Sequence, residues 1–228
     1  MSSRSLIQAC GAPAVASGQD DTQSALLTRR SLLLSVAAAT LILPAGTASA
    51  AAVAGAVSDL TGDAFAEAAG QRRPLATGAN VFVADTVATG EEARVALKLG
   101  RATLVRLGAK ARLKIDAHLI DVGGELDLQS GPMLFDRKSS TAARRETVVR
   151  TPYGLLAVRG TRFWGGMSNG VFGVFVDEGR VDVSAAGRTV RLTRGLGTDI
   201  AAPGARPTPP KPWVAERIEA ALATVMAK

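Results

Sequence analysis

The chain has one cysteine, Cys10, and one histidine, His118, in 228 residues. A lone cysteine excludes an intramolecular disulfide framework. One thiol and one imidazole cannot furnish a His/Cys zinc site, so neither a metal centre nor a cofactor is expected. Nucleophilic catalysis needs a Ser, Cys or Lys activated by a neighbouring base. His118 stands in an alternation of polar and apolar residues that reads as a strand edge or surface position, so no catalytic residue is expected and the chain reads as a non-enzyme. Aromatic residues make up only 4%, leaving no row of stacking platforms for single-stranded nucleic acid. No glycine-rich phosphate loop opens a helix.

Long apolar runs are also missing. The stretch Leu32 to Leu43 stops at Pro44, well short of the roughly 20 residues that a membrane-spanning helix requires. It follows Thr28-Arg29-Arg30-Ser31 and leads to Ala48-Ser49-Ala50. An arginine pair, a short apolar run and a small-residue site form a twin-arginine export signal. Residues 1–50 are read as that signal, with cleavage after Ala50. Cys10 leaves with it, and no stable transmembrane anchor is expected after cleavage. The protein is expected in the periplasm or secreted. The formal net charge of +7 could suit nucleic acid, but an exported chain meets anionic lipids and polymers instead, so no nucleic-acid partner is expected.

What remains is a dense series of short strands. Alternation at Ala93 to Gly100, Thr103 to Gly108 and Ala111 to Asp116 superposes at a spacing of eight, aligning Leu97, Val105 and Leu113 as inward positions. Lys98, Arg106 and Lys114 fall between the apolar residues and face outward, because side chains alternate across a strand. They form an expected basic ladder: solvated positions of a meander, or a face for an anionic ligand. Further strands are expected at 81–84, 119–122, 125–129, 147–150, 155–159, 171–176, 181–184, 189–192 and 198–200. Asn169-Gly170 supplies a tight turn. The fold class is therefore all-β, of many short strands, as a solenoid or a double-sheet sandwich. The β domain is placed at 51–202, with a basic surface loop at Arg137 to Arg145. A Pro-rich linker follows at 203–212, then an amphipathic helical tail at 213–228 with Val214, Ile218, Leu222 and Val225 on one stripe.

The richest segment is Thr151-Pro152-Tyr153, then Val158-Arg159-Gly160-Thr161 with Phe163, then the apolar run Val171 to Val176, then Glu178-Gly179 with Val181 and Val183. Asp177-Glu178 is read as turn chemistry rather than a carboxylate pair. Gly160 is expected in a conformation closed to side chains. Arg159, inside an apolar run, is expected to brace the following turn rather than face a ligand. This order of residues resembles the FecR-like domain, the periplasmic sensory domain of iron-dicitrate-type transmembrane regulators. The resemblance runs from about Val53 to Ile200 through Gly62, the Gly78 region and Asp85-Thr86-Val87-Ala88-Thr89-Gly90, with Ala84 where the family usually has glycine.

The resemblance implies a non-enzymatic role in envelope sensing or signalling, of the kind that regulates iron transport, with an envelope protein or an anionic polymer as partner. In such regulators a cytoplasmic helical segment controls a sigma factor. The residues before the apolar run here lack the tryptophan-bearing helices of that segment. A freestanding exported domain is therefore the leading expectation, and a membrane-tethered regulator relaying a transporter signal to a sigma factor is the alternative.

If the N-terminus is a twin-arginine signal, replacing Arg29 and Arg30 by lysine should trap precursor in the cytoplasm. N-terminal sequencing of the wild-type exported protein should begin at or next to Ala51. Undiminished export of the double-lysine variant would remove the assignment.

Overall fold

A computed structural model of the chain describes residues 52–116, 124–137 and 146–226. The chain divides between Thr47 and Ala48; the first unit, with Arg29 and Arg30, lies outside the described residues, as do Ala50, His118 and the strand expected at 119–122. Sixteen strands follow in chain order: β1 (Val53–Thr61), β2 (Ala64–Ala68), β3 (Gln71–Pro74), β4 (Asn80–Phe82), β5 (Thr86–Thr89), β6 (Arg94–Leu99), β7 (Thr103–Leu107), β8 (Arg112–Ile115), β9 (Glu125–Ser130), β10 (Met133–Arg137), β11 (Thr147–Thr151), β12 (Gly154–Ser168), β13 (Val171–Ala185), β14 (Arg188–Thr193), β15 (Leu196–Ile200) and β16 (Lys211–Pro212). One helix, α1 (Ala215–Ala223), closes the series. The all-β class with a short C-terminal helix is confirmed.

The strands form one continuous sheet, not two separate ones, and it has two faces. One face runs β3-β2-β5-β8-β9-β11 to the first half of β12 and the second half of β13, ending at β14. The other runs β4-β1-β6-β7-β10 to the second half of β12 and the first half of β13, ending at β15 and β16. All described pairings are antiparallel except β9 with β11. Curling the sheet brings both inner faces onto one core. Leu97, Leu99, Val105 and Phe163 from one face meet Leu113, Leu126, Val149, Leu156 and Val183 from the other, all fully buried.

The long hairpin β12–β13 corrects the sequence reading, which placed separate strands at 155–159, 171–176 and 181–184. Asn169 and Gly170 do make its tip, with φ of +54° and +79°, the two positive angles that a type I′ turn demands. Gly160 and Gly179, however, do not end strands. They lie inside them, where the register shifts. Nor is Arg137 part of an exposed loop: it ends β10, is buried, and donates from Nη1 to Thr147 Oγ1 at 2.7 Å.

Trp213 and α1 are packed on the outer face of the second half-sheet. Outward residues align there in a row across six strands: Ala96, Arg106, Leu134, Trp164, Phe175 and Gly197. Trp213 lies on this row, 5.4 Å from Phe175 and 6.0 Å from Trp164 between ring centroids. A Cβ on Gly197 would strike the Trp213 indole, so the missing side chain is what seats the ring. Three residues of the expected helix stripe do pack on the row, with Val225 buried and Ile218 and Leu222 beside it, joined by buried Ala221, whereas Val214 is the extended N-cap and 65% exposed.

A buried carboxylate holds this strap. Asp199 accepts from Arg217 Nη2 at 2.6 Å and Nη1 at 3.3 Å, and pairs with Lys211 Nζ at 3.0 Å. Arg217 also donates from Nε to Ser168 Oγ at 3.0 Å and stacks over Trp213 at 3.6 Å. Burial pushes the Asp199 carboxyl up, but hydrogen bonds from Arg217 and Lys211 outweigh it and hold the group below the usual carboxylate range. A carboxyl whose folded pKa is depressed contributes stability above its unfolded value, and that stability is lost as pH falls through the folded one. Trp164 and Trp213, the only tryptophans, both lie in this contact. Tryptophan emission should therefore hold steady above the ordinary Asp pKa and shift red in stronger acid, and in Asp199→Asn it should already be shifted at neutral pH. Identical pH profiles for the two proteins would disprove the clamp.

Candidate functional site

The family-like motif residues gather on the β12–β13 hairpin, and most of them shape the backbone. Before Gly160, even-numbered Leu156 and Val158 face the core; after it, odd-numbered Thr161 and Phe163 do. On β13, even-numbered Val174 and Val176 are inward before Gly179, and odd-numbered Val181 and Val183 after it. One residue is inserted on β12 at Gly160, between Arg159 and Arg162, and one on β13 at Asp177, between Val176 and Glu178, and each insertion flips the face presented by everything beyond it. Gly160 and Gly179 both have positive φ, +55° and +81°, a region that costs an L side chain about 1–2 kcal/mol. A Cβ on Gly179 would also strike the Gly160 carbonyl. The two bulges adjoin, so the hairpin passes from one half-sheet to the other with its apolar side always on the core.

Thr161 ties the bulges together. Its buried Oγ1 lies 3.0 Å from the carbonyl of Arg159 and 2.8 Å from that of Arg180, sharing one proton between them, and accepts from the Arg180 N–H at 3.2 Å. The bracing expected of Arg159 is thus done by Thr161. Arg159 itself is exposed and makes no ion pair or side-chain hydrogen bond among the described residues. Its outward direction follows from the pleat: position 159 falls on the opposite side of the strand from Val158.

Thr151 caps the entry to β12. Its Oγ1 accepts from the backbone N–H groups of Tyr153 at 3.1 Å and Gly154 at 3.0 Å and donates to the Gly154 carbonyl at 2.9 Å, a hydroxyl-closed turn. Pro152 is exposed at its apex. Tyr153 stacks on Phe172 with centroids 4.5 Å apart and planes 5° from parallel. Beside them Met167 is 50% exposed, and Pro152, Tyr153, Met167, Phe172 and Leu128 line a cleft of about 180 Å³. Glu178 is exposed on β13, opposite Arg162, whose Nε lies 3.4 Å from Asp177. Asp177 and Glu178 are strand residues, not the turn pair expected.

The upstream motif is built around Asp85. This carboxylate, 3% exposed, accepts from Arg73 Nη2 at 2.5 Å and from the Phe82 N–H at 2.9 Å. Ala84 precedes it with φ +71°, so alanine adopts the conformation for which glycine is the usual residue.

The basic ladder does not form. Lys98, Arg106 and Lys114 do point outward, but β8 is separated from β7 by β9, β11, β12 and β10. Arg106 lies opposite Ala96, not Lys98, and joins the apolar row under the strap. Lys98 is in a row with Leu104, Asp136 and Arg162. Lys114 lies on the other half-sheet, in a row of alternating sign: Arg72, Glu67, Thr86, Lys114, Asp127 and Arg150. Hydrogen bonding to Arg112 helps hold Glu67 below its ordinary pKa, and Arg150 pairs with Glu125. Equal spacing along the chain placed the three cations together only for a plain meander, and this sheet is not one. No group of three His, Cys, Asp or Glu side chains gathers among the described residues.

The motif glycines and Thr161 should behave as structural parts. Gly160→Val forces a branched side chain into positive φ and should cost about 1–3 kcal/mol. Thr161→Val removes the partner of the Arg180 N–H and the donor to the Arg159 and Arg180 carbonyls in a partly buried contact, at a cost of about 1–3 kcal/mol. Thermal or urea melts will read both, and an unchanged midpoint for either would contradict the bulge geometry.

Comparison with known proteins agrees with this architecture. Residues 85–182 match the profile of the family described as FecR protein. Two crystal structures of a candidate anti-sigma factor from Parabacteroides distasonis ATCC 8503, at 2.50 and 1.65 Å resolution, have a similar fold. Their TM-scores are 0.51 and 0.50, each at 17% identity over 60% of this chain. The chain covers 63% and 64% of those chains. No curated protein matches the sequence. The match to the FecR family begins at the buried Asp85 and ends just beyond the register shifts of the β12–β13 hairpin.

Proposed function

We propose that this chain is a non-enzymatic, exported FecR-domain protein that binds a partner in envelope signalling through the outer side of the β12–β13 hairpin. The observation that carries this reading is the division of labour within the matched motif. Thr151, Gly160, Thr161 and Gly179 are used up in shaping the hairpin. Pro152, Arg159 and Glu178 are left on its surface, with Pro152 beside exposed Met167. Binding residues placed by a rigid scaffold are a common arrangement. The export signal in the sequence supports an envelope location, and the FecR match supports a regulatory role.

The likeness to a candidate anti-sigma factor favours the alternative of a membrane-tethered regulator. An intact N-terminus on the membrane-bound protein would select it over the freestanding form. Among the described residues no helix is long and apolar enough to cross a membrane.

A photocrosslinking residue placed at Pro152 or Glu178 in cells should yield a discrete protein adduct, while one at exposed Val53 on β1 should not. Absence of an adduct at both hairpin positions would overturn the proposed binding face. Release of cell-wall fragments by the purified protein would overturn the non-enzymatic reading.

A further inference from the structure

Arg159 and Arg180 are direct partners across the antiparallel pair β12–β13, both exposed. Like charges opposite one another destabilise a sheet unless something neutralises them. Nothing among the described residues does so. Arg159 has no ion pair. Arg180 acts on Asp182 only through its field, and that carboxylate is already gripped by Arg191 at 2.8 and 3.0 Å. Glu178 is two residues from Arg180, and the β11–β12 register brings Glu146 alongside Arg159, but neither carboxylate forms an ion pair with the two arginines. The register fixes this juxtaposition: Val158 and Val181 pair on the buried side, so the next pair, Arg159 and Arg180, falls on the outer side.

We infer that Arg159 and Arg180 form a recognition surface for the carboxylates of an extended, acidic and apolar segment of a partner protein. The inference rests on the partner-binding reading above and gives that partner its chemistry. Two neighbouring guanidiniums offer forked donors matched to carboxylates. Along β12 the same face continues through half-buried Ala157 to Leu155, 41% exposed, so apolar contact lies within two and four residues of Arg159. The surroundings disfavour a broad polyanion. Asp177 and Glu178 stand just across the bulges, and the adjoining β9–β11 surface carries Glu125 and Asp127. A membrane or a wall polymer laid over this face would meet those carboxylates, whereas a short strand carrying one or two acids would not.

The probe is a fluorescein-labelled, glycine-flanked peptide of alternating glutamate and leucine, its glutamine counterpart, and phosphatidylglycerol vesicles. The variants are Arg159→Gln, Arg180→Gln and, as a control of equal charge change, Arg188→Gln at the exposed start of β14. Charge-assisted hydrogen bonds of this kind are expected to make the wild type prefer the glutamate peptide by about tenfold, and each motif-arginine variant should lose about that factor. Arg188→Gln should stay within about twofold of wild type, since it removes only diffuse charge. Because removing one arginine relieves the opposition, Arg159→Gln and Arg180→Gln should melt no lower than wild type. Any of four results would overturn the inference: no preference for the glutamate peptide, an equal loss in Arg188→Gln, destabilisation by both motif variants, or vesicle binding that depends on the two arginines as the peptide binding does. Crosslinked adducts at Pro152 or Glu178 without acidic-peptide binding would sink this inference alone and leave the partner-binding reading standing.

Discussion

Everything in this fold depends on the chain changing sides twice without exposing its apolar residues. A hairpin of two 15-residue strands in a curled sheet must bend sharply between the two half-sheets. In a strand, any bend that adds one residue reverses the side on which every later residue falls. One bulge alone would turn half a strand's core residues to water. Two adjoining bulges, at Gly160 on β12 and at Asp177 on β13, with Gly179 packed against the first, keep both strands correct and let the ladder resume beyond them. Thr161 is the third component: a hydroxyl can both donate and accept, so one buried side chain serves the peptide groups that the bulges leave unpaired. Valine, its closest isostere, can do neither.

The strap follows from the same sheet. Once the hairpin is placed, its outward row presents Trp164 and Phe175 beside Leu134, an apolar patch on a surface that would otherwise be wet. Trp213 and α1 cover it. The Asp199 cluster then fixes the cover, and its arrangement answers the usual objection to buried charge, that desolvation cancels attraction. Asp199 has two cationic partners, and Arg217 satisfies its own donors on a carboxylate and a hydroxyl while its face rests on an indole. Trp213 is the incomplete member: its Nε1 is buried without a hydrogen-bond partner, a cost accepted at the place where Gly197 lets the ring lie flat on the strand.

The sequence showed the composition of the fold better than its pairing. Alternation correctly marked Leu97, Val105 and Leu113 as core and Lys98, Arg106 and Lys114 as outward, because that depends only on the local pleat. Which strands are neighbours depends on non-local closure, and there the eight-residue spacing misled: β7 and β8 are consecutive in the chain yet lie in different half-sheets. Glycine was ambiguous in the same way. Gly170 ends a strand and Gly160 continues one, and their positive φ angles do not distinguish them. The distinguishing signal is parity. Leu156 and Val158 followed by Thr161 and Phe163 change from even to odd across Gly160, just as Val174 and Val176 change to Val181 and Val183 across Gly179. Read together, those two changes identify adjoining bulges, and they also place Arg180 opposite Arg159. The strap was less legible, since its contacts join residues that no local pattern connects.

The arginines show why residue type alone could not locate a site here. Arg217 is nearly buried, with a carboxylate, a hydroxyl and a ring as partners, so its work is internal. Arg191 is committed to Asp182, and Arg73 to Asp85. Arg106 is drawn into a row that the strap covers. Arg159 and Arg180 are what remain where the register brings two cations together with no anion between them. A protein can tolerate that opposition because each guanidinium stays hydrated, and exposed charges interact weakly through water. The same hydration leaves both groups available. The geometry that makes the hairpin fold therefore also leaves it with a pair of cations on its outer side, because the inward pairing of Val158 with Val181 sets Arg159 opposite Arg180.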